Sequence, residues 1–151
     1  MSGPYSYEVR VRSDAPPEAV FALLADGARW SDWAGPLAPN SSWEREGSPD
    51  AGGVGAIRKL GAWPVFSREE IVEYDPPRQL TYTLLSGQPV RNYRAEVELT
   101  PVEDGTQIAW RSRFEPLIPG TGPLLRWFLS RIIGAMARRL AAHAGAGAAR
   151  G

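Results

Sequence analysis

Polar and apolar residues alternate along most of this chain. Tyr5, Tyr7, Val9 and Val11 alternate with Ser6, Glu8, Arg10 and Arg12, a period of two that sends the two sets to opposite faces of a strand. Tyr93, Ala95, Val97 and Leu99 alternate in the same way with Arg94, Glu96, Glu98 and Thr100. Thr106, Ile108, Trp110, Ser112 and Phe114 alternate with Gln107, Ala109, Arg111 and Arg113, and Asp104-Gly105 between these two runs has the composition of a hairpin turn. Further strands are expected at residues 41–46, 54–60, 65–74 and 80–84, with turns at 47–53, 61–64, 75–77 and 87–89. About seven strands joined mostly by tight turns predict an antiparallel sheet.

The alternation gives way twice. After Asp14, a helix cap by type, Pro16 or Pro17 suits a first helical turn and Glu18 its positive end. Ala19, Val20, Leu23 and Leu24 form a short apolar stripe, Gly27 breaks it, and residues 28–33 predict a second short helix. Near the end, Leu125, Phe128, Leu129, Ile132, Ile133, Met136 and Leu140 recur at steps of three and four, which is the spacing of one helical face. Pro123 opens that run, and Gly145 and Gly147 are expected to stop it. A helix over 122–144 is a rod roughly 30 Å long. The pattern therefore predicts an α+β fold in which a curved sheet grips one long helix, with two short helices after the first strand closing one end. One domain is expected over 1–144, with a disordered tail at 145–151. A wide antiparallel sheet curls, and a straight helix cannot fill the resulting trough everywhere, so a cavity lined by apolar and aromatic groups is expected between them.

Composition narrows the chemistry. The chain has no cysteine and one histidine, His143, so disulfides, thiolate nucleophiles and cysteine-ligated metals are excluded, and neither a histidine-based triad nor a multi-histidine metal site is expected. No metal or cofactor is expected. The net charge is +0, which gives no overall attraction to nucleic acid. It is unevenly spread: no acid follows Glu115, whereas Arg126, Arg131, Arg138, Arg139 and Arg150 do. Those within the last helix, Arg126, Arg131, Arg138 and Arg139, read as its solvated side. Its apolar side is needed for the core, so stable membrane insertion is not expected. The first residues lack a charged-then-apolar leader, and no run reaches the length of a membrane span. The expectation is a cytoplasmic monomer or weak homodimer.

Several fragments resemble a known family. They are Pro17-Glu18-Ala19-Val20-Phe21, the Trp30-x-x-Trp33 pair, Gly53-Val54-Gly55-Ala56-Ile57-Arg58, Glu70-Ile71-Val72-Glu73-Tyr74-Asp75-Pro76-Pro77, Asn92-Tyr93, and Gly105-Thr106 leading to Trp110. In this order and spacing they resemble the SRPBCC superfamily of START domains, polyketide cyclase/dehydrase-like proteins and plant pathogenesis-related allergens, over nearly the whole chain. The resemblance implies a helix-grip fold and a cavity for lipids, polyketides, hormones or other apolar molecules. Only some members are enzymes, and no catalytic motif is common to them, so no catalytic residue is assigned.

Three functions remain open on the sequence: a binder of a small hydrophobic molecule, a cyclase/aromatase/dehydratase-type enzyme using the same cavity, or a partner-binding module with a filled core. Candidate ligand contacts come from the apolar phases. Trp110 and Phe114 share a face with Ile108 and line either cavity or core. Tyr82 and Tyr93 are in apolar phase, and a buried tyrosine needs a partner for its hydroxyl. Arg58 lies in phase with Val54, Ala56 and Leu60. It either orients an anionic ligand group, forms an ion pair with Glu70 or Glu73, or owes its phase to a register shift at Gly55. The phase of 65–74 leaves open which of Glu69, Glu70 and Glu73 faces inward. Trp33, with Trp30, either gates the cavity or staples the short helices. Phe128, Ile132 and Met136 are expected to form the cavity floor on the long helix.

Overall fold

The computed structural model describes residues 4–62 and 65–150. Strand β1 (Tyr5–Ser13) is followed by helix α1 (Pro17–Ala25), a 3-10 turn at Gly27–Arg29, helix α2 (Trp30–Ala34) and a second 3-10 turn at Gly35–Leu37. Six strands come next: β2 (Asn40–Arg45), β3 (Ile57–Ala62), β4 (Val65–Asp75), β5 (Gln79–Ser86), β6 (Val90–Val102) and β7 (Gly105–Pro116). Helix α3 (Gly122–Arg150) closes the order. The sheet runs β1-β7-β6-β5-β4-β3-β2, antiparallel throughout, so the first strand pairs with the last. This is the helix-grip fold: α3 lies across the sheet, packed chiefly along β1, with α1 and α2 against it. The turn expected at 61–64 includes Trp63 and Pro64, which lie outside the described residues, as does Gly151.

The alternation of apolar residues becomes the core directly. Trp110, Phe114, Leu80, Val97, Leu99 and Ile108 are buried on the sheet's inner face, and Leu129, Ile133, Met136 and Leu140 meet them from α3. Two ties fix the ends of the chain to this core. The Ser13 hydroxyl donates to the Ala141 carbonyl at 2.8 Å, and the Thr106 hydroxyl donates to the Ala15 carbonyl at 2.7 Å.

Three expectations change. Asp14 does not cap α1: the cap position is Pro16, with no side-chain hydrogen bond, and Asp14 instead pairs with Arg12. Strand β3 begins at Ile57, because Gly55 takes φ +91° and Val54, paired with Ser48 in an isolated bridge, stands 51% exposed. Helix α3 does not stop at Gly145 but runs through Gly145 and Gly147 to Arg150, so 145–150 is not the disordered tail expected. Ala144 is buried and Gly145 faces Asp14 at the end of β1. That packing offsets the roughly 1 kcal/mol a glycine costs in a helix.

Strand β4 carries the change that matters most for the site. Its pairing with β5 shifts between Arg68 and Glu69 and again between Ile71 and Glu73. At the first shift the extra residue is Leu85 of β5, which leaves the alternation of β4 intact; at the second it is Val72 of β4, which reverses the face the following β4 side chains take. Val65, Ser67 and Glu69 therefore face the inside with Ile71, whereas beyond the second bulge Tyr74 is the inward residue, with its ring 5.4 Å from that of Phe21.

Candidate functional site

Between the inner sheet face and α3 lies a cavity of about 350 Å³. Leu60, Ser67, Glu69, Tyr82, Leu84 and Tyr93 form its sheet wall. Leu129, Ile132, Ile133 and Met136 of α3 form the opposite wall. Trp30, residues 36–39, Gly61, Val65 and Gln88 complete the lining. The volume lies in the range that holds a small organic molecule, which is roughly 300–1,000 Å³.

One ion pair dominates the polar chemistry. Arg58 is fully buried, and its Nε donates to Glu69 Oε1 at 2.8 Å. Its guanidinium lies 3.8 Å from the centre of the Trp30 ring and 4.5 Å from that of Tyr82. The carbonyl of Leu24, in the last turn of α1 where helical carbonyls lack partners, accepts from Trp30 Nε1 at 2.8 Å and from Arg58 Nη1 at 3.5 Å. Gly27 permits this closeness, since a methyl there would meet the Trp43 ring at 2.8 Å and the Arg58 Cβ at 3.1 Å. Arg58 Nη2 is buried without a hydrogen-bond partner among the described residues. The arginine is thus held behind the wall, and the carboxylate reaches the cavity. Glu70 and Glu73 are outside: they pair with Arg45 at 3.1 Å and Arg94 at 2.6 Å.

Tyr7 and Tyr93 are joined through their hydroxyls, and Tyr82 has a separate partner. Tyr93 donates to Ser112 Oγ at 3.2 Å, which leaves its oxygen to accept from Tyr7 at 2.7 Å. Tyr82 accepts from Trp110 Nε1 at 3.2 Å. Burial pushes all three hydroxyls well above the ordinary tyrosine range. At Tyr82 the Glu69 charge adds to that effect. These hydroxyls are neutral donors and acceptors at physiological pH.

Of the residues singled out from sequence, Tyr82, Tyr93, Ile132 and Met136 line the cavity, and five do not. Arg58 sits behind Glu69 because its guanidinium is enclosed by Trp30, Tyr82 and the end of α1. Trp110 and Phe114 form a layer of core beyond the tyrosines, Trp110 bonded to the Tyr82 hydroxyl and Phe114 stacked 6.4 Å from Tyr93. Trp33 is buried 4.7 Å from Trp30, and Trp30 takes the lining position. Phe128 is 46% exposed and is not part of the lining. Sequence reasoning missed Leu60, Leu84, Leu129 and Ile133 as wall residues, although all four stood on apolar phases, and it missed the 36–39 segment, which carries no periodic signal.

Among the described residues, no group of three or more His, Cys, Asp or Glu side chains could hold a metal ion, and no helix is long and apolar enough to cross a membrane. The family model described as polyketide cyclase / dehydrase and lipid transport matches residues 5–145. The chain belongs to this SRPBCC-type family. Many solved structures share its fold, among them the following three. A protein from Nitrosospira multiformis is 20% identical, with 91% of this chain and 94% of that chain covered and a TM-score of 0.72. The protein XoxI from Bacillus cereus is 19% identical, with 92% and 93% covered and a TM-score of 0.70. An uncharacterised protein from Bacillus thuringiensis is 18% identical, with 93% and 98% covered and a TM-score of 0.73. Among curated proteins none matches the chain. Family membership makes a cavity for a hydrophobic molecule, or cyclase-type chemistry in it, the relevant pair of functions.

Proposed function

We propose that this SRPBCC-type protein binds a small apolar or amphipathic molecule, such as a lipid, polyketide or aromatic metabolite, in the cavity between sheet and α3. One observation carries the reading. A space of about 350 Å³, walled by Leu60, Leu84, Ile132, Ile133 and Met136, is interrupted by a single carboxylate. Removing a ligand's apolar surface from water at about 25 cal/mol per Å² drives binding, and the polar wall fixes orientation. It acts as a cytoplasmic monomer or weak homodimer, with Tyr82 and Tyr93 as contacts beside Ile132 and Met136. A second reading, a cyclase/aromatase/dehydratase-type enzyme, is favoured by the carboxylate of Glu69 and the neutral hydroxyl of Tyr82 on the same cavity wall. Such a pair supplies a base and an acid for weak proton-transfer chemistry.

Native mass spectrometry of the purified protein, followed by denaturation, tests the first reading. A carried apolar molecule released on unfolding supports it. Ile132→Trp, at a half-buried position on the α3 wall, fills the space and is expected to abolish carriage while leaving the circular dichroism of the fold unchanged. Carriage that survives this substitution counts against the cavity as the site. Chemical change of the carried molecule on prolonged incubation moves the assignment to the enzyme.

A further inference from the structure

We propose that the polar end of the cavity selects a neutral ligand presenting a hydroxyl (a phenol, an alcohol or an enol) over a carboxylate, a phosphate or an amine. The inference rests on the reading of the cavity as a ligand site and concerns what its polar wall recognises. Four observations lead to it. Glu69 lines the cavity, and one of its oxygens is taken by Arg58 Nε at 2.8 Å. Its other oxygen receives no hydrogen bond from the described residues. Arg58 has no exposed surface and is enclosed between the Trp30 and Tyr82 rings, so its positive charge cannot turn to meet a ligand. The Tyr82 oxygen accepts from Trp110, and no acceptor among the described residues takes the Tyr82 proton.

A ligand entering this end therefore meets an open acceptor from Glu69 and an open donor from Tyr82. A single hydroxyl satisfies both, giving its proton to the carboxylate and receiving one from the phenol. Charged head groups fare worse. The Arg58–Glu69 pair is already neutral as a unit. A carboxylate or phosphate would place a second negative charge against Glu69 with no cation able to approach. An ammonium would bring a positive charge whose counter-charge is already matched by Arg58. Either leaves an uncompensated charge in a largely apolar space, which is strongly unfavourable. The other polar pair in the lining, Gln88 and Ser67, bonds to itself, with Gln88 Nε2 donating to Ser67 Oγ at 3.4 Å.

The test uses matched probes of one shape: naphthol, methoxynaphthalene and naphthoate, titrated calorimetrically into the purified protein. A hydrogen bond to a charged acceptor corresponds to roughly ten- to a hundredfold in affinity. Naphthol is therefore expected to bind at least about tenfold tighter than its methyl ether, with naphthoate weakest. Glu69→Gln leaves Arg58 unpaired and can unfold the chain. The paired replacement Arg58→Met with Glu69→Leu removes both charges at similar volume. In it naphthol is expected to fall to the level of the ether, with the ether unchanged. Tyr82→Phe weakens naphthol and ether alike, since both present an oxygen to that hydroxyl. Equal binding of naphthol and ether to the unaltered protein, tighter binding of naphthoate, or a naphthol preference that persists in the paired variant overturns the inference and leaves the cavity reading standing. Binding of none of the three probes overturns both.

Discussion

A buried tyrosine hydroxyl surrounded by apolar side chains resists losing its proton, and Tyr7, Tyr82 and Tyr93 all do so here. Free in an unfolded chain, each ionises near pH 10, at about the ordinary tyrosine value. In the fold each ionises well above it, chiefly because of burial. At alkaline pH the unfolded chain then holds fewer protons than the folded one, so stability falls as pH rises. The contribution of the neutral hydroxyls is complete below about pH 10 and is lost as pH climbs beyond it toward their folded values, at up to about 1.4 kcal/mol per pH unit for each group. Urea unfolding at a series of alkaline pH values checks this, and a stability that stays level there contradicts the burial of these hydroxyls. The phase of Tyr82 and Tyr93 was legible in the sequence, as was the inward placement of Arg58. The partner of Arg58 was not. The sequence offered Glu70 or Glu73, but Glu70 falls on the outward phase of β4 and the bulge at Val72 turns Glu73 outward too, which leaves Glu69 inside. A bulge depends on how two strands pair, and one strand's own alternation carries no trace of the partner's register.

Helix α3 illustrates both the reach and the limit of periodicity. Its apolar steps located it, and Leu129, Ile132, Ile133 and Met136 do face the cavity. Phe128 satisfied the same spacing and yet is exposed, together with Leu124 and Trp127. The first turns of the helix carry apolar residues on two sides, and spacing alone cannot say which side the sheet takes. The expected stop at Gly145 failed for a related reason, since local propensity is worth about 1 kcal/mol and contacts with the end of β1 outweigh it. Those two glycines are consequently places where the helix can be strengthened. A methyl at 147 meets nothing within 4 Å, and one at 145 meets Asp14 at an ordinary 3.7 Å. Gly145→Ala and Gly147→Ala should each raise stability by up to about 1 kcal/mol, less at the very end where the helix frays. Thermal unfolding measures the gain. A loss in both variants would mean that these last turns are not helical in solution.

For the molecule as a whole, an occupied cavity should register as added stability. A ligand that binds only the folded state, supplied at about a hundred times its dissociation constant, adds about 2.7 kcal/mol. For a chain of this size that is about 5–10 °C in melting temperature. A thermal-shift screen of hydroxylated aromatics and fatty alcohols reads this out, and the Ile132→Trp variant should show none of it. The architecture and the presence of a cavity were legible, because a curled antiparallel sheet and one straight helix leave room between them on geometric grounds alone. Which side chains bound that room was legible only in part, since the wall at residues 36–39 is an irregular segment placed by tertiary packing. The pairing of β1 with β7 has a consequence in time. While the chain is being synthesised, residues 5–13 wait at the sheet's future edge for a partner that is among the last to emerge. Helix α3 follows later still. The cavity therefore comes into being only as the final event of folding, after the most sequence-distant contacts have closed, which is the slow kind of assembly. Until then the apolar inner face of the sheet is bare, and any hydrophobic molecule present in the cell at that moment meets an open trough rather than a finished pocket.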